Sequence, residues 1–306
     1  MAKYKVLIIA LMLTLLLSTA VTANSAIATP EEVKWSRVNL PTDGETGNWV
    51  LASGSNVQRL TMAADGSLYC YANPSGTSYT LFKSTDAGYN WSAIGMVADN
   101  ITSIATAADN ASIIYYATAS NVYKSTDAGA SFNQWSLKPG GAGSNNIEII
   151  SIDIARLESN IIIAVGTRDT DSSQYGGVYI LDENEPLTGW INTNLGNYDV
   201  YAVAFSPNFA TDRQLVAVAS DETDTLITSR IDNGNWGTII GDATIAGLTP
   251  SAVTIAFPDD YDATTEDYTL FLAMDTGSNN GDVYRVKSVC RPSAIMGHRK
   301  ENIGHL

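Results

Sequence analysis

Hydrophobic residues fall along this chain in short alternating runs, not at helical spacing. Val200-Tyr-Ala-Val-Ala-Phe205 and Ser103-Ile-Ala-Thr106 alternate with a period of two, the mark of strands with two unlike faces. Leu68-Tyr-Cys-Tyr71, Ile161–Val165 and Leu215–Ala219 are compact β-rich runs bounded by Gly, Asn, Asp and Ser. No segment after residue 30 carries a helical period. The pattern predicts an all-β chain.

The runs repeat. Leu81-Phe-Lys-Ser84-Thr-Asp86-Ala-Gly88-Tyr-Asn-Trp91 returns 41 residues later as Val122-Tyr-Lys-Ser125-Thr-Asp127-Ala-Gly129-Ala-Ser-Phe132. The residues before each copy repeat too, from Val57 to Asp65 and from Ile101 to Asp109. Three weaker copies start near Ile149, Val200 and Val253, so units begin at 57, 101, 149, 200 and 253. Three short strands and an aromatic stretch per unit, at a period of about 40–50, predict a β-propeller of four-stranded blades. Five repeats are recognisable; an incomplete propeller of six or seven blades is the alternative.

At these residues the chain resembles the Asp-box (BNR) propellers, the superfamily of sialidases, sortilin-type receptors, xyloglucanases and photosystem II assembly factors. Ser84, Asp86, Gly88 and Trp91 match the box, as do Ser125, Asp127 and Gly129 with Phe132 in place of Trp. Ser229-Arg-Ile-Asp232-Asn-Gly234-Asn-Trp236 is a degenerate third copy, its Asp displaced by one. The resemblance implies that the box is structural and lies in the turn before the fourth strand, away from the functional face. Its carboxylate would accept backbone N–H groups, its Gly would supply φ > 0, and its aromatic would pack between blades.

The ends of the chain differ from its body. Residues 1–23 read as a signal peptide: a short basic start, an apolar run from Val6 to Val21, and small residues at Val21-Thr-Ala23. Residues 24–33 form a linker, 34–286 the propeller, and 287–306 an irregular basic tail holding both histidines, His298 and His305. Lys34-Trp35-Ser-Arg-Val38 resembles Trp91-Ser-Ala-Ile94, which predicts an N-terminal outer strand that completes the last blade. That closure would bring Cys70 and Cys290 into neighbouring blades. The mature protein is expected outside the cytoplasm, secreted or at the cell surface, with no stable membrane insertion.

Charge narrows the partners. Residues 24–286 carry 11 basic and 31 acidic side chains, which disfavours nucleic acid. Arg168-Asp169-Thr-Asp171 and Asp259-Asp-Tyr-Asp262 are calcium candidates through Asp169, Asp171, Asp259 and Asp262, though neither has EF-hand spacing; no other cofactor is expected. Tyr89, Tyr175, Tyr198 and Tyr261 fall in predicted turns and are the surface-aromatic candidates. A sialidase would need an arginine cluster and an Arg-Ile-Pro segment; the arginines before the first box, Arg37 and Arg59, precede Val and Leu. A xyloglucanase-like enzyme of this superfamily implies two propellers, and the assembly factors a basic patch. The expectation is therefore a non-enzymatic recognition or structural module for a protein or carbohydrate. An Asp-box glycoside hydrolase is the alternative, and a fragment of a longer surface protein is another.

Overall fold

Strand pairing divides the chain into five consecutive four-stranded antiparallel sheets, a five-bladed β-propeller. This computed structural model describes residues 56–73, 79–94, 97, 100–139, 146–185, 189–240, 242–258, 260–264, 269–277, 281–287 and 303–305. Blade 1 is β1 (Asn56–Met62), β2 (Leu68–Asn73), β3 (Thr80–Ser84) and β4 (Ser92–Ala93). Blade 2 is β5 (Ile101–Thr106), β6 (Ile114–Thr118), β7 (Asn121–Ser125) and β8 (Asn133–Leu137). Blade 3 is β9 (Ile147–Leu157), β10 (Asn160–Asp169), β11 (Gly177–Asp182) and β12 (Ile191–Asn192). Blade 4 is β13 (Asp199–Phe205), β14 (Gln214–Ser220), β15 (Thr225–Ile231) and β16 (Ala243–Ile245). Blade 5 is β17 (Ala252–Ala256), β18 (Thr269–Asp275), β19 (Asp282–Lys287) and β20 (Ile303–His305). One turn of helix, α1 (Phe209–Asp212), interrupts blade 4.

The first strand of each blade contacts the first strand of the next, from β1 through β17. Each middle blade is thereby sandwiched, and its second strand must be apolar on both faces. In β10, Ile161, Ile163 and Val165 pack toward blade 2, whereas Ile162 and Ala164 pack toward blade 4. In β14, Leu215, Ala217 and Ala219 face blade 3 while Val216 and Val218 face blade 5. Double burial explains why these strands read as unbroken apolar runs. Each such Ile or Val contributes roughly 1.5–3 kcal/mol. Strand β18 has one buried face: Leu270, Leu272 and Met274 are covered and Ala273 and Asp275 are exposed, so its sequence alternates.

The inner edge of each first strand lacks a sheet partner, and in blades 1 to 4 side chains of the neighbouring blade bond to it. The Thr106 hydroxyl donates to Met62 O at 2.8 Å, and Arg59 donates to Thr102 O. Further round, Ile152 N–H donates to Ser103 Oγ (3.2 Å) and Val203 N–H to Ser151 Oγ (3.1 Å). Phe205 N–H donates to Asp153 Oδ2 at 2.7 Å. Buried backbone groups need such partners, so blades 1 to 4 are keyed each to the next through polar as well as apolar contacts.

Two readings of the ends change. The fourth strand of blade 5 is Ile303–His305, paired with Tyr284–Val286, so the tail expected to be irregular supplies this strand. An N-terminal strand is not needed in that place; residues 1–23, 24–33 and Trp35 lie outside the described residues. Cys70 is a free, buried thiol packed with Ala72, Phe82 and Trp91. Cys290 itself lies outside the described residues. Among the described residues no helix is long and apolar enough to cross a membrane.

Candidate functional site

The two intact Ser-x-Asp-x-Gly turns are self-contained. The Ser84 hydroxyl donates to Asp86 Oδ1 (2.8 Å) and accepts Gly88 N–H (2.9 Å), while Asn90 donates its backbone N–H to Asp86 Oδ1 (2.8 Å) and its amide to Oδ2 (2.5 Å). The second turn repeats this: Ser125 to Asp127 at 2.7 Å, Gly129 N–H to Ser125 at 2.9 Å, and Ser131 to both Asp127 oxygens at 2.9 and 2.6 Å. These bonds hold both carboxyls below the usual carboxylate range, Asp127 at about 2. Gly129 sits at φ +84°, and a Cβ there would lie 2.7 Å from Ile94 Cδ1 of blade 1. The preceding carbonyl, of Ala128, accepts from Tyr69 and Lys83, so the turn also docks on blade 1. Trp91 is buried and donates its indole N–H to Gly88 O (3.0 Å), whereas Phe132 is half-buried against the Tyr116 ring. Both carboxylates are thus engaged within their own turns, as a structural role requires.

The degenerate copy in blade 4 takes a different course. With its Asp one position late, the Ser229 hydroxyl bonds to Thr238 O and to Ile240 N–H instead of cradling Asp232. The chain makes an excursion from Asp232 to Asp242 before entering β16. Trp236 leaves its own blade: its indole N–H donates to Thr193 O and Oγ1 at 3.2 Å, just beyond the outer strand of blade 3. Gly237, at φ +82°, brings the backbone against Asp242, where a Cβ would meet the carboxylate at 3.0 Å. Thr228 fixes that carboxylate by donating to Oδ1 at 2.8 Å and accepts Gly237 N–H at 3.0 Å. Thus Asp232, Gly234 and Trp236 are not a third copy of the closed turn.

The excursion leaves a cleft of about 720 Å³ between the outer strands of blades 3 and 4, within the range of small-ligand sites. Blade 3 lines it with Ile191, Asn192, Thr193, Asn194 and Leu195, and blade 4 with Arg230, Asn233, Asn235, Trp236, Asp242 and Thr244. Ile180, Tyr198, Leu226 and Gly234 complete the lining. Asn192 shapes the blade 3 wall by accepting Asn194 N–H at 2.8 Å, which holds Asn194 at φ 56°. Burial, with the charges of Asp221, Asp242 and Asp224, pushes the Tyr198 phenol up. Burial lowers the Arg230 pKa, opposed by the charge of Asp232. Ring faces beside amides, hydroxyls and one charge of each sign are the chemistry that recognises a polyhydroxylated ring.

The remaining candidates serve the backbone. Asp169 Oδ1 accepts Asp171 N–H (2.9 Å), Asp171 Oδ2 accepts the Asn146 amide (2.6 Å), and Asp262 Oδ1 accepts Thr264 N–H (2.8 Å). Asp259 lies outside the described residues. Among the described residues no group of three or more His, Cys, Asp or Glu side chains is arranged to hold a metal ion. Asp199, which sequence reading missed, accepts N–H groups from Asp169 (2.8 Å) and Gly176 (3.0 Å) and closes the loop between them; burial raises its pKa. Of the four turn tyrosines Tyr89 is exposed and Tyr175 and Tyr198 are half-buried. Tyr261, expected at the surface, is buried, its hydroxyl donating to Gln214 beneath α1.

No family model matches the chain, and no curated protein does. Among solved structures it is similar to YCF48 bound to a D1 peptide, at 13% identity and a TM-score of 0.43, over 77% of this chain and 65% of that one. A GH74 enzyme of Niastella koreensis matches at 14% identity and a TM-score of 0.48, covering 76% of this chain and 36% of the enzyme. A luciferin-regenerating enzyme matches at 11% identity and 0.43, over 76% and 74%. The chain thus spans less than two thirds of the first two, and the likenesses add nothing to the topology read from its own sheets.

Proposed function

We propose that this protein is an exported, non-enzymatic member of the Asp-box propellers that binds a saccharide in the cleft between blades 3 and 4. One observation carries the reading: the repeat with the displaced box is the one whose tryptophan, with Arg230, Tyr198 and four nearby asparagines, lines an open cleft. In blades 1 and 2 the same repeat position is spent on closing a turn. Stacking of a sugar on the exposed part of Trp236, with amides and Asp242 taking its hydroxyls, uses every kind of group present there. The test is a glycan array with the purified mature chain. Saturable binding to one sugar class, lost in Trp236→Ala, is the expected result; an array without binding from a folded protein would end the proposal.

The hydrolase reading has one observation in its favour. Burial pushes Asp153, on the innermost strand of blade 3, up to about 6, a value suited to a general acid. Turnover of a fluorogenic glycoside panel that disappears in Asp153→Asn would establish it; no turnover leaves the binding reading in place.

A further inference from the structure

We infer that the ligand of this cleft carries a carboxylate, as a uronate-bearing saccharide does, and that Arg230 is its charge partner. The inference rests on the saccharide reading above and adds the charge of the ligand to it.

Arg230 is 5% exposed and lies on β15, lining the cleft. Its Nε–H donates to Asp232 O at 2.9 Å, and a terminal nitrogen reaches Thr193 O at 3.5 Å. Both acceptors are neutral carbonyls. Lys124, Arg156 and Arg168 are paired with Glu183, Asp109 and Glu148, but among the described residues no carboxylate oxygen comes within 4.0 Å of Arg230. A guanidinium has five N–H donors, and these two bonds use two of them. Burying a cation with no carboxylate in contact is costly; Asp232 offsets this only from a distance, and more of the cost is recovered when an anion arrives. A carboxylate is the anion whose two oxygens match the guanidinium fork.

The neighbour of Arg230 narrows the class further. Its guanidinium lies 5.8 Å from the centroid of the Trp236 ring, so cation and stacking surface share one wall. A small inorganic anion would engage the arginine and leave the ring idle. A neutral sugar would do the reverse. A sugar acid presents a ring face and a carboxylate together and uses both. The strongly acidic body opposes long polyanions at a distance, which favours a short chain with few carboxylates read at close range.

The experiment is calorimetric titration of the mature protein with tri-galacturonate and with its fully methyl-esterified form, which keeps the rings and removes the charge. The acid is expected to bind wild type roughly 10–100-fold more tightly than the ester. In Arg230→Gln the two should bind alike, and Arg230→Lys should recover part of the preference. Equal binding of acid and ester to wild type would overturn the inference and leave the saccharide reading standing. If the mature protein binds saccharides in the array yet binds neither form, the carboxylate class is likewise rejected; no saccharide binding at all removes both readings. If Arg230→Gln fails to fold, the comparison of acid and ester on wild type decides alone.

Discussion

The turn of blade 2 and the corresponding turn of blade 4 occupy the same place in the repeat, but in blade 4 the Asp and the Gly each come one residue later. In blade 2, Asp127 follows Ser125 by two residues, and its carboxylate takes the hydroxyl and both Ser131 donors. In blade 4, Asp232 follows Ser229 by three, and the serine turns to Thr238 and Ile240. A one-residue displacement thus separates a turn that closes on itself from one that runs on to Asp242 and opens a cleft. Conformity to the motif goes with a closed turn in blades 1 and 2, and the displaced box of blade 4 goes with an open cleft.

The sharpest way to break this comparison is through the tryptophans. Trp91 is 3% exposed and packs with Cys70, Ala72 and Phe82. Trp91→Ala should destabilise the protein by about 3–5 kcal/mol, read by urea denaturation. Trp236 is half-buried, so Trp236→Ala should cost about 1–2 kcal/mol while abolishing saccharide binding. Equal losses of stability would mean that Trp236 is another core residue and that the two turns do not differ in kind.

Next comes Gly129→Ala, which tests the closed turn through its backbone. An alanine would have to hold φ near +84° and displace Ile94 of blade 1. The expected loss is about 1–3 kcal/mol, read from the same denaturation midpoint. A neutral result would show that the turn can relax without its glycine.

Much of this was legible in the sequence. Five units were expected at 57, 101, 149, 200 and 253, and the blades begin at Asn56, Ile101, Ile147, Asp199 and Ala252. They were visible because strands buried on two faces must be apolar throughout and the turns between them need Asp, Asn and Gly. The cleft was not visible. Arg230 is an isolated arginine in a strand pattern, and Asn192 and Asn194 lie about 40 residues from the turn they face. The displaced Asp is plain in the sequence, but a sequence does not show where a chain goes once its turn fails to close. The calcium candidates were open to two readings because a carboxylate accepting a nearby N–H and one awaiting a cation have the same spelling. Asp65, Asp182, Asp212 and Asp275, like the candidates Asp169 and Asp262, each accept the N–H two residues on. A good part of the acidity is turn chemistry.

Two carboxylates sharpen the comparison further, because one sits in a closed turn and the other at a seam between blades. Asp153 accepts Phe205 N–H, and burial raises it from its ordinary 3.8 to about 6. The folded state therefore holds this proton more tightly than the unfolded chain between about pH 4 and 6. The group's contribution is most favourable below pH 4 and is lost as pH rises through 6. Asp153→Asn keeps an acceptor for Phe205 and should stabilise the protein above pH 6 by about 1–3 kcal/mol. A variant less stable than wild type at pH 7.5 would show that the ionised carboxylate is the better acceptor.

Asp127 behaves in the opposite sense. The Ser131 hydroxyl and N–H, then the Ser125 hydroxyl, favour its charged form and hold it at about 2 against an ordinary 3.8. Its contribution is complete above pH 4 and lost as pH falls through 2. Asp127→Asn should melt lower than wild type at pH 7, and the gap should narrow between pH 4 and 2. Asp232→Asn should leave the melting temperature within a degree or so at both ends, because no serine hydroxyl cradles that carboxylate. If Asp232→Asn followed the Asp127 profile, the blade 4 turn would close in solution as the others do, and the cleft would close with it.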